Sequence, residues 1–205
     1  MKNIAFILLL TLVCTIAFAQ KDKVYKNMNA ALKDPSKVYK LDLSEKKLTE
    51  LPPEIGNLTN LEELNISSNT ITALPKEVGN LINLKKFDAH FNKITVLPDE
   101  ICNLTNLEEF IFNRNHLKTL PSCFGKLENL LFLQLSTNRF RELPVEVCKL
   151  SNLEKLWLSQ NALQKLPEQV KSLSKMKFLY VYDNQLTDEA KENIRKWFPD
   201  TKLQL

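Results

Sequence analysis

Glycine is scarce: the chain of 205 residues has three. Loops that cradle phosphates or dinucleotides need clustered glycines for close backbone approach, so that chemistry is excluded. Histidine is scarcer, limited to His90 and His116, and no Ser-His-Asp pattern, HExxH or nucleophile elbow accompanies them. The four cysteines, Cys14, Cys102, Cys123 and Cys148, show no C-x-x-C spacing, which indicates neither a zinc site nor a redox pair. An excess of one charge is also missing. Lys and Arg total 28 against 24 Asp and Glu, a net charge of +4 that is not gathered in a tail. That is too little to imply nucleic acid as a partner. No enzyme activity, metal or cofactor is expected.

The one long apolar run is at the start. "MKNIAFILLLTLVCTIAFA" has Lys2, then apolar or small residues from Ile4, and ends in Ala17-Phe18-Ala19 before Gln20. This is the pattern of a secretory signal peptide. It is short for a spanning helix, which needs about 20 apolar residues. Val13 is too large for the small residue that precedes a lipidated cysteine, so Cys14 does not suggest a lipoprotein. Residues 1–19 are expected to be cleaved, leaving no stable membrane anchor and an exported chain, in a periplasm, on a surface or secreted. The short basic start and the "AFAQ" ending resemble bacterial export signals.

Self-comparison explains the rest. "LTNLEELNISSNTITALPKEVGN" begins at Leu58, and shifts of 23 residues return "LINLKKFDAHFNKITVLPDEICN" and "LTNLEEFIFNRNHLKTLPSCFGK". Asparagine recurs in phase at Asn69, Asn92, Asn115, Asn138, Asn161 and Asn184, and Leu-Pro recurs from Leu51 to Leu166. A worn first unit starts near Pro35, with Lys46 where asparagine is expected, and a last one starts at Leu173 without Leu-Pro. The pattern L-x-x-L-x-x-L-x-L-x-x-N-x-L-x-x-L-P resembles the leucine-rich repeat family, in its Leu-Pro type found in Ras-scaffold, plant Ras-group and bacterial members. The resemblance covers residues 35–195 and implies an α/β solenoid of about seven repeats, with a curved parallel sheet on the concave face.

The residues carry that reading physically. One unit offers few inward positions, such as Leu58, Leu61, Leu64, Ile66, Ile71, Leu74 and Val78. Burying each contributes roughly 1.5–3 kcal/mol. Ordering the backbone costs roughly 1–2 kcal/mol per residue, so a unit cannot fold alone and must share its core with neighbours. Helical caps are expected to close the stack: one within 20–34, where Val24, Met28, Ala31 and Leu32 have helical spacing, and one from Thr187 to Phe198, followed by an edge strand in "KLQL". The residues after 195 complete the C-terminal cap. The fold is expected to hold without a disulfide framework. Cys102 and Cys148 share a repeat position two units apart, about 10 Å at ordinary strand spacing. That exceeds the reach of about 7 Å between Cα atoms in a disulfide. Cys123 lies between them and could pair with either, leaving one thiol free.

Strand residues flanking the inward leucines point to the open face. In the first half they are Lys40, Glu63, Lys86 and Glu109, alternating in sign as a register ladder does. In the second half Ile111, Phe132, Trp157, Phe178, Tyr180 and Tyr182 fall on outward positions. Scattered exposed apolar residues are ordinary, but a contiguous patch marks a contact site, and Trp and Tyr dominate interface hot spots. Arg114 and Arg139, with His116, Lys118 and Arg141, lie in the turns beside it, as either a basic rim for an acidic partner or a plain solvated edge. Relatives often bind ligands on the concave face, which implies an exported scaffold for a protein or peptide. A glycan or peptidoglycan ligand stacked on the aromatics, and self-association of two concave faces, are the alternatives.

Overall fold

A computed structural model describes residues 21–205, so the expected signal peptide lies outside the described residues. Nine strands form one open sheet, all parallel and in chain order. They are β1 Val24–Tyr25, β2 Lys40–Asp42, β3 Glu63–Asn65, β4 Lys86–Asp88, β5 Glu109–Ile111, β6 Phe132–Gln134, β7 Lys155–Trp157, β8 Phe178–Tyr180 and β9 Lys202–Gln204. The solenoid expected from the repeat is therefore the fold. No strand in the sheet is displaced by one residue: Leu64 lies beside Phe87, Phe110 beside Leu133, and Leu156 beside Leu179. A slip by one would turn every apolar side chain to water.

Each repeat leaves its strand through an asparagine turn, runs extended to Leu-Pro, and returns through a single 3-10 turn. The proline carbonyl opens that turn, as where Pro75 accepts from Val78 and Pro98 from Ile101, both at 3.1 Å. Proline suits this place because it donates no hydrogen bond and its φ is already set. The Val or Ile three residues on is fully buried between the sheet and the turns. Phenylalanine fills the middle of the core, with Phe110 and Phe112 stacked at 3.9 Å and Phe124 and Phe87 edge-on against Phe110.

The six asparagines join the repeats. The Asn92 side-chain oxygen accepts from Ile71 N at 3.0 Å, and its amide donates to Ile66 O and Ala89 O. The same three-way bonding recurs at Asn115 and Asn138, each reaching a carbonyl 26 residues back. A second asparagine ladder runs along the exposed side: Asn60, Asn83, Asn106, Asn129 and Asn152 each donate to a carbonyl of the preceding repeat at 2.8–2.9 Å. Immediately before each buried asparagine, Ser68, Phe91, Arg114, Thr137, Gln160 and Asp183 hold φ between 53° and 57°. This left-handed region costs non-glycine residues energy, and Glu45 holds it too, at 57°, in the first repeat where Lys46 takes the asparagine's place.

No glycine takes that conformation. All three occupy one column of the 3-10 turns, at positions 56, 79 and 125, where space decides. A Cβ on Gly79 would lie 2.5 Å from Glu100 O. The other residues in this column are Cys102, Cys148 and Lys171.

Cys102 is bonded to Cys123, with Cα atoms 5.8 Å apart, correcting the expectation of a fold without a disulfide framework. Cys102 lies in the turn Asp99–Asn103, and Cys123 in the next, between Pro121 O and the Phe124 N that donates to it at 2.9 Å, with its Sγ 3.4 Å from Asp99 O. Cys148 is free and buried, and burial pushes its thiol up to about 11.

Both ends are closed. At the start, Val24 lies in β1 rather than in a helix, and helix α1 spans only Met28–Ala31, capped by the Asn27 side chain. The "VY" pair is β-favouring and meets the free edge of β2, which overrides the helical spacing. At the other end helix α2, Asp188–Trp197, is capped by Thr187 Oγ1, which accepts from Ala190 N at 3.1 Å. Asp188 and Glu189 lie at its positive end, Ala190 and Ile194 are buried, and Trp197 packs half-buried against the core. Beyond Pro199, β9 adds the expected edge strand.

The buried ladder makes a sharp contrast. Asn92→Ala leaves the buried Ile71 N–H without a partner, while Ile66 O and Ala89 O keep their bonds from Asn69 and Asn115. A net loss of about 2–3 kcal/mol is expected, or about 4–12 °C in melting temperature for a chain of this length. Asn83→Ala, on the exposed ladder, should cost about 1 kcal/mol or less. Thermal melts followed by circular dichroism check this; equal losses would contradict the ladder's role.

Candidate functional site: the open face of the sheet

The open face divides into two halves. In the first, charges pair across strands: Lys40 Nζ meets Glu63 at 2.8 Å, Lys86 meets Glu109 at 2.9 Å, and Lys85 meets Glu62 at 2.9 Å. Glu62 is held below the usual carboxylate range by its hydrogen bonds from Lys85 and then Lys21, and the Lys40 ammonium is raised by Glu63. These pairs are partly exposed, so each is worth at most about 1 kcal/mol and serves register. His90 faces Asp88 at 2.7 Å on the next outward positions.

From β6 onward aromatic rings replace the charges on the strands, although Lys177 still meets Glu154 at 2.8 Å just before them. Phe132 stands edge-on to Trp157, with centroids 4.8 Å apart and planes at 72°. Trp157 stacks on Tyr180 at 5.4 Å and 13°, and Phe178 is edge-on to Tyr180 at 6.5 Å. The structure thus brings four of the candidate residues into one chain of rings across three strands. Lys155 lies between its two ends, 5.9 Å from both Phe132 and Phe178. All four rings are half-buried, and Tyr182 is more open, at 39%. Ile111 is half-buried on β5 but separated from the rings by Gln134, which is folded down to bond Ser136 N at 2.9 Å.

Two buried polar atoms in this region have no partners. Trp157 Nε1 and Ser159 Oγ are the buried side-chain nitrogen and oxygen atoms left unbonded among the described residues. They are two residues apart on one outward row. Nearby, Thr137 donates to Gln160 at 2.7 Å.

Arg114 and Arg139 do not join the ring chain. Both are exposed in the turns that follow β5 and β6, and Arg114 lies over the ring of Phe91, 4.6 Å from its centroid. Phe91, 49% exposed, is a surface residue that the strand pattern did not single out. It sits outside the three strand columns, in the column just before the asparagine, where the other repeats carry Ser68, Thr137 and Gln160. An aromatic residue in that polar column was the available signal.

Among the described residues no group of acidic, cysteine or histidine side chains could hold a metal ion, and no helix is long and apolar enough to cross a membrane.

A family described as "Leucine-rich repeat region" matches residues 39–119. No curated protein matches the chain. Among solved structures, an internalin (inlF) from Listeria monocytogenes superposes with a TM-score of 0.76 at 25% identity, over 87% of this chain and 50% of that one. The LRR ectodomain of the plant membrane receptor kinase GASSHO1/SCHENGEN3 from Arabidopsis thaliana, in complex with CASPARIAN STRIP INTEGRITY FACTOR 2, matches with a TM-score of 0.70 and 33% identity, over 80% of this chain and 20% of that one. PEPR1-AtPEP1 matches with 0.61 and 28%, over 67% and 20%. The chain therefore spans half or less of the length of these proteins.

The ring chain separates core from surface on a single strand. Leu156→Ala, which opens a buried cavity, should cost about 2–5 kcal/mol. Trp157→Ala removes two ring contacts worth about 0.5–1.5 kcal/mol each and should cost about 1–3 kcal/mol. Chemical denaturation of both variants checks the order. A Trp157→Ala loss above that of Leu156→Ala would mean that Trp157 belongs to the core.

Proposed function

We propose, from the premise that the chain belongs to the leucine-rich repeat family, that it is an exported scaffold which binds a protein or peptide on the concave face of its C-terminal repeats. Phe132, Trp157, Phe178 and Tyr180 form the centre of the contact, Ile111 and Tyr182 its margins, and Arg114 and Arg139 a basic edge. One observation carries this reading: four aromatic rings from three neighbouring strands touch one another on the open face and stay partly exposed, where the Lys40, Glu63, Lys86 and Glu109 column of the first half pairs by charge. Contiguous aromatic surface of this kind is the usual centre of a protein contact. The plant ectodomain, described in complex with an integrity factor, lends the reading an analogy. Export rests on residues 1–19 and their A-x-A ending.

A glycan is the second reading. Sugars stack on an open ring face. One face of Trp157 is taken by Tyr180, and Phe132 is edge-on to the indole. This leaves less room for a pyranose than for apolar side chains entering between rings. Self-association of two concave faces would use the same surface.

Selection of displayed random peptides on residues 20–205, with counter-selection on Trp157→Ala, tests the proposal. Enriched sequences should carry apolar or aromatic residues and bind the variant at least tenfold more weakly. Absence of enrichment, or equal binding to the variant, would contradict it. Tighter, Trp157-dependent binding of soluble peptidoglycan fragments would move the function to the glycan reading, and a concentration-dependent dimer lost in the variant to self-association.

A further inference from the structure

Three successive turns next to the ring chain carry cations with no counter-charge. They stack in register, since Phe91 N donates to Asn113 O, Arg114 N to Ser136 O, and Arg139 N to Leu117 O. The columns on these turns are Phe91, Arg114 and Thr137; Lys93, His116 and Arg139; and Thr95, Lys118 and Arg141. Five of the nine positions are Lys or Arg, and none is acidic. The flanking turns are neutral, with Ser68, Thr70 and Thr72 on one side and Gln160, Ala162 and Gln164 on the other. Among the described residues, Lys93, Arg114, Lys118, Arg139 and Arg141 enter no ion pair, although the strand lysines Lys40, Lys85 and Lys86 all do. The acidic residues nearby are turned elsewhere: Asp88 bonds His90, and Asp183 faces Gln160. Glu142 follows Arg141 in sequence without pairing with it.

One cation is also held in place. The Arg114 guanidinium lies on the Phe91 ring, which the left-handed turn (φ 56°) presents at the surface. Stacking uses the flat face of a guanidinium and leaves its in-plane N–H groups free for a carboxylate. His116 Nδ1 is engaged with Asn115 O at 3.0 Å, so its other nitrogen faces outward as a further polar contact.

We infer that this edge, centred on Arg114 and Arg139, recognises an acidic segment of the peptide or protein partner. The inference deepens the concave-face proposal and rests on it for the partner being a polypeptide. It assigns that partner's chemistry: a run of Asp or Glu over the three turns, continuing into apolar side chains on the rings of β6 to β8. The turns lie about 4.8 Å apart, so the patch spans about 10 Å along the stack, or three to four extended residues. Nucleic acid fits less well. The patch is short, and its one aromatic ring is already covered by Arg114, leaving no platform for bases.

The test uses a fluorescent, end-blocked deca-glutamate peptide and the chain from residue 20, read by anisotropy at low and moderate salt. Binding should weaken as salt rises. It should fall at least tenfold in Arg114→Glu/Arg139→Glu and also in the milder Arg114→Gln/Arg139→Gln, each checked for an unchanged circular dichroism spectrum. Lys126→Glu/Lys149→Glu, the same charge change on the 3-10 turns, should alter it less than twofold. No deca-glutamate binding, or equal losses in both reversal pairs, would overturn the inference. So would polyphosphate binding more tightly with the same dependence on Arg114 and Arg139, since the site would then take polyanions of another class. Trp157→Ala should leave deca-glutamate binding within twofold. If selected apolar peptides bind while deca-glutamate does not, the edge assignment fails and the concave-face proposal stands; the reverse result separates them the other way.

Discussion

The structure depends on the bonding of one asparagine side chain in each of six successive repeats. A strand of three residues cannot hold a sheet by itself, and a unit with about seven inward side chains cannot offset its own ordering entropy. The asparagine amide connects three backbone groups, including one 26 residues back, so it closes its own turn and fixes the neighbour's. The left-handed residue in the column before it recurs through the stack, in Phe91, Arg114 and Thr137 and also in Glu45, where Lys46 stands in place of the asparagine. The same turn sets the strand that precedes it, which is why the leucines stay inward through the whole stack.

Fixing the inward face leaves the outward one unconstrained. Substitutions at flanking strand positions touch only their cross-strand neighbours, so charge and aromatic character can change from one repeat to the next without disturbing the core. The chain uses this freedom once, between β5 and β6. Before it, opposite charges pair between strands and satisfy one another. After it, rings pack on rings and stay partly exposed, and Trp157 Nε1 and Ser159 Oγ are buried without partners. A surface that is incompletely satisfied is where a partner gains most by arriving.

The repeat, the parallel sheet, the inward set and the C-terminal cap were legible because each rests on a spacing or a local signal. Thr187 followed by Asp188 and Glu189 is a helix start in any context, and in-phase asparagines have one structural reading. What could not be read depends on distances between neighbouring turns. The three glycines looked merely scarce; their shared column shows that they are spacers where a Cβ would meet the next turn's carbonyl. The Cys102–Cys123 bond joins neighbouring turns at positions two apart in the repeat, a distance between turns that the period alone does not give. The outward direction of Trp157 followed from strand alternation, whereas its half-burial needed the positions of Phe132 and Tyr180. Phe91 escaped notice because it stands in a turn column, not a strand column.

If the account is right, the repeat is the unit of the structure and one can be removed whole. Deleting residues 58–80 joins Asn57 to Leu81 in phase, keeps Cys102, Cys123 and the ring chain, and preserves nearest-neighbour packing. Deleting 58–69 instead puts the rest of that unit out of phase. Thermal melts of the two variants, followed by circular dichroism, are the most direct measurement. The whole-repeat deletion should keep a single cooperative transition at a reduced temperature, and the partial deletion should lose it or melt far lower. Equal melting of the two, or loss of cooperativity in the whole-repeat deletion, would contradict a structure built from interchangeable stacked units.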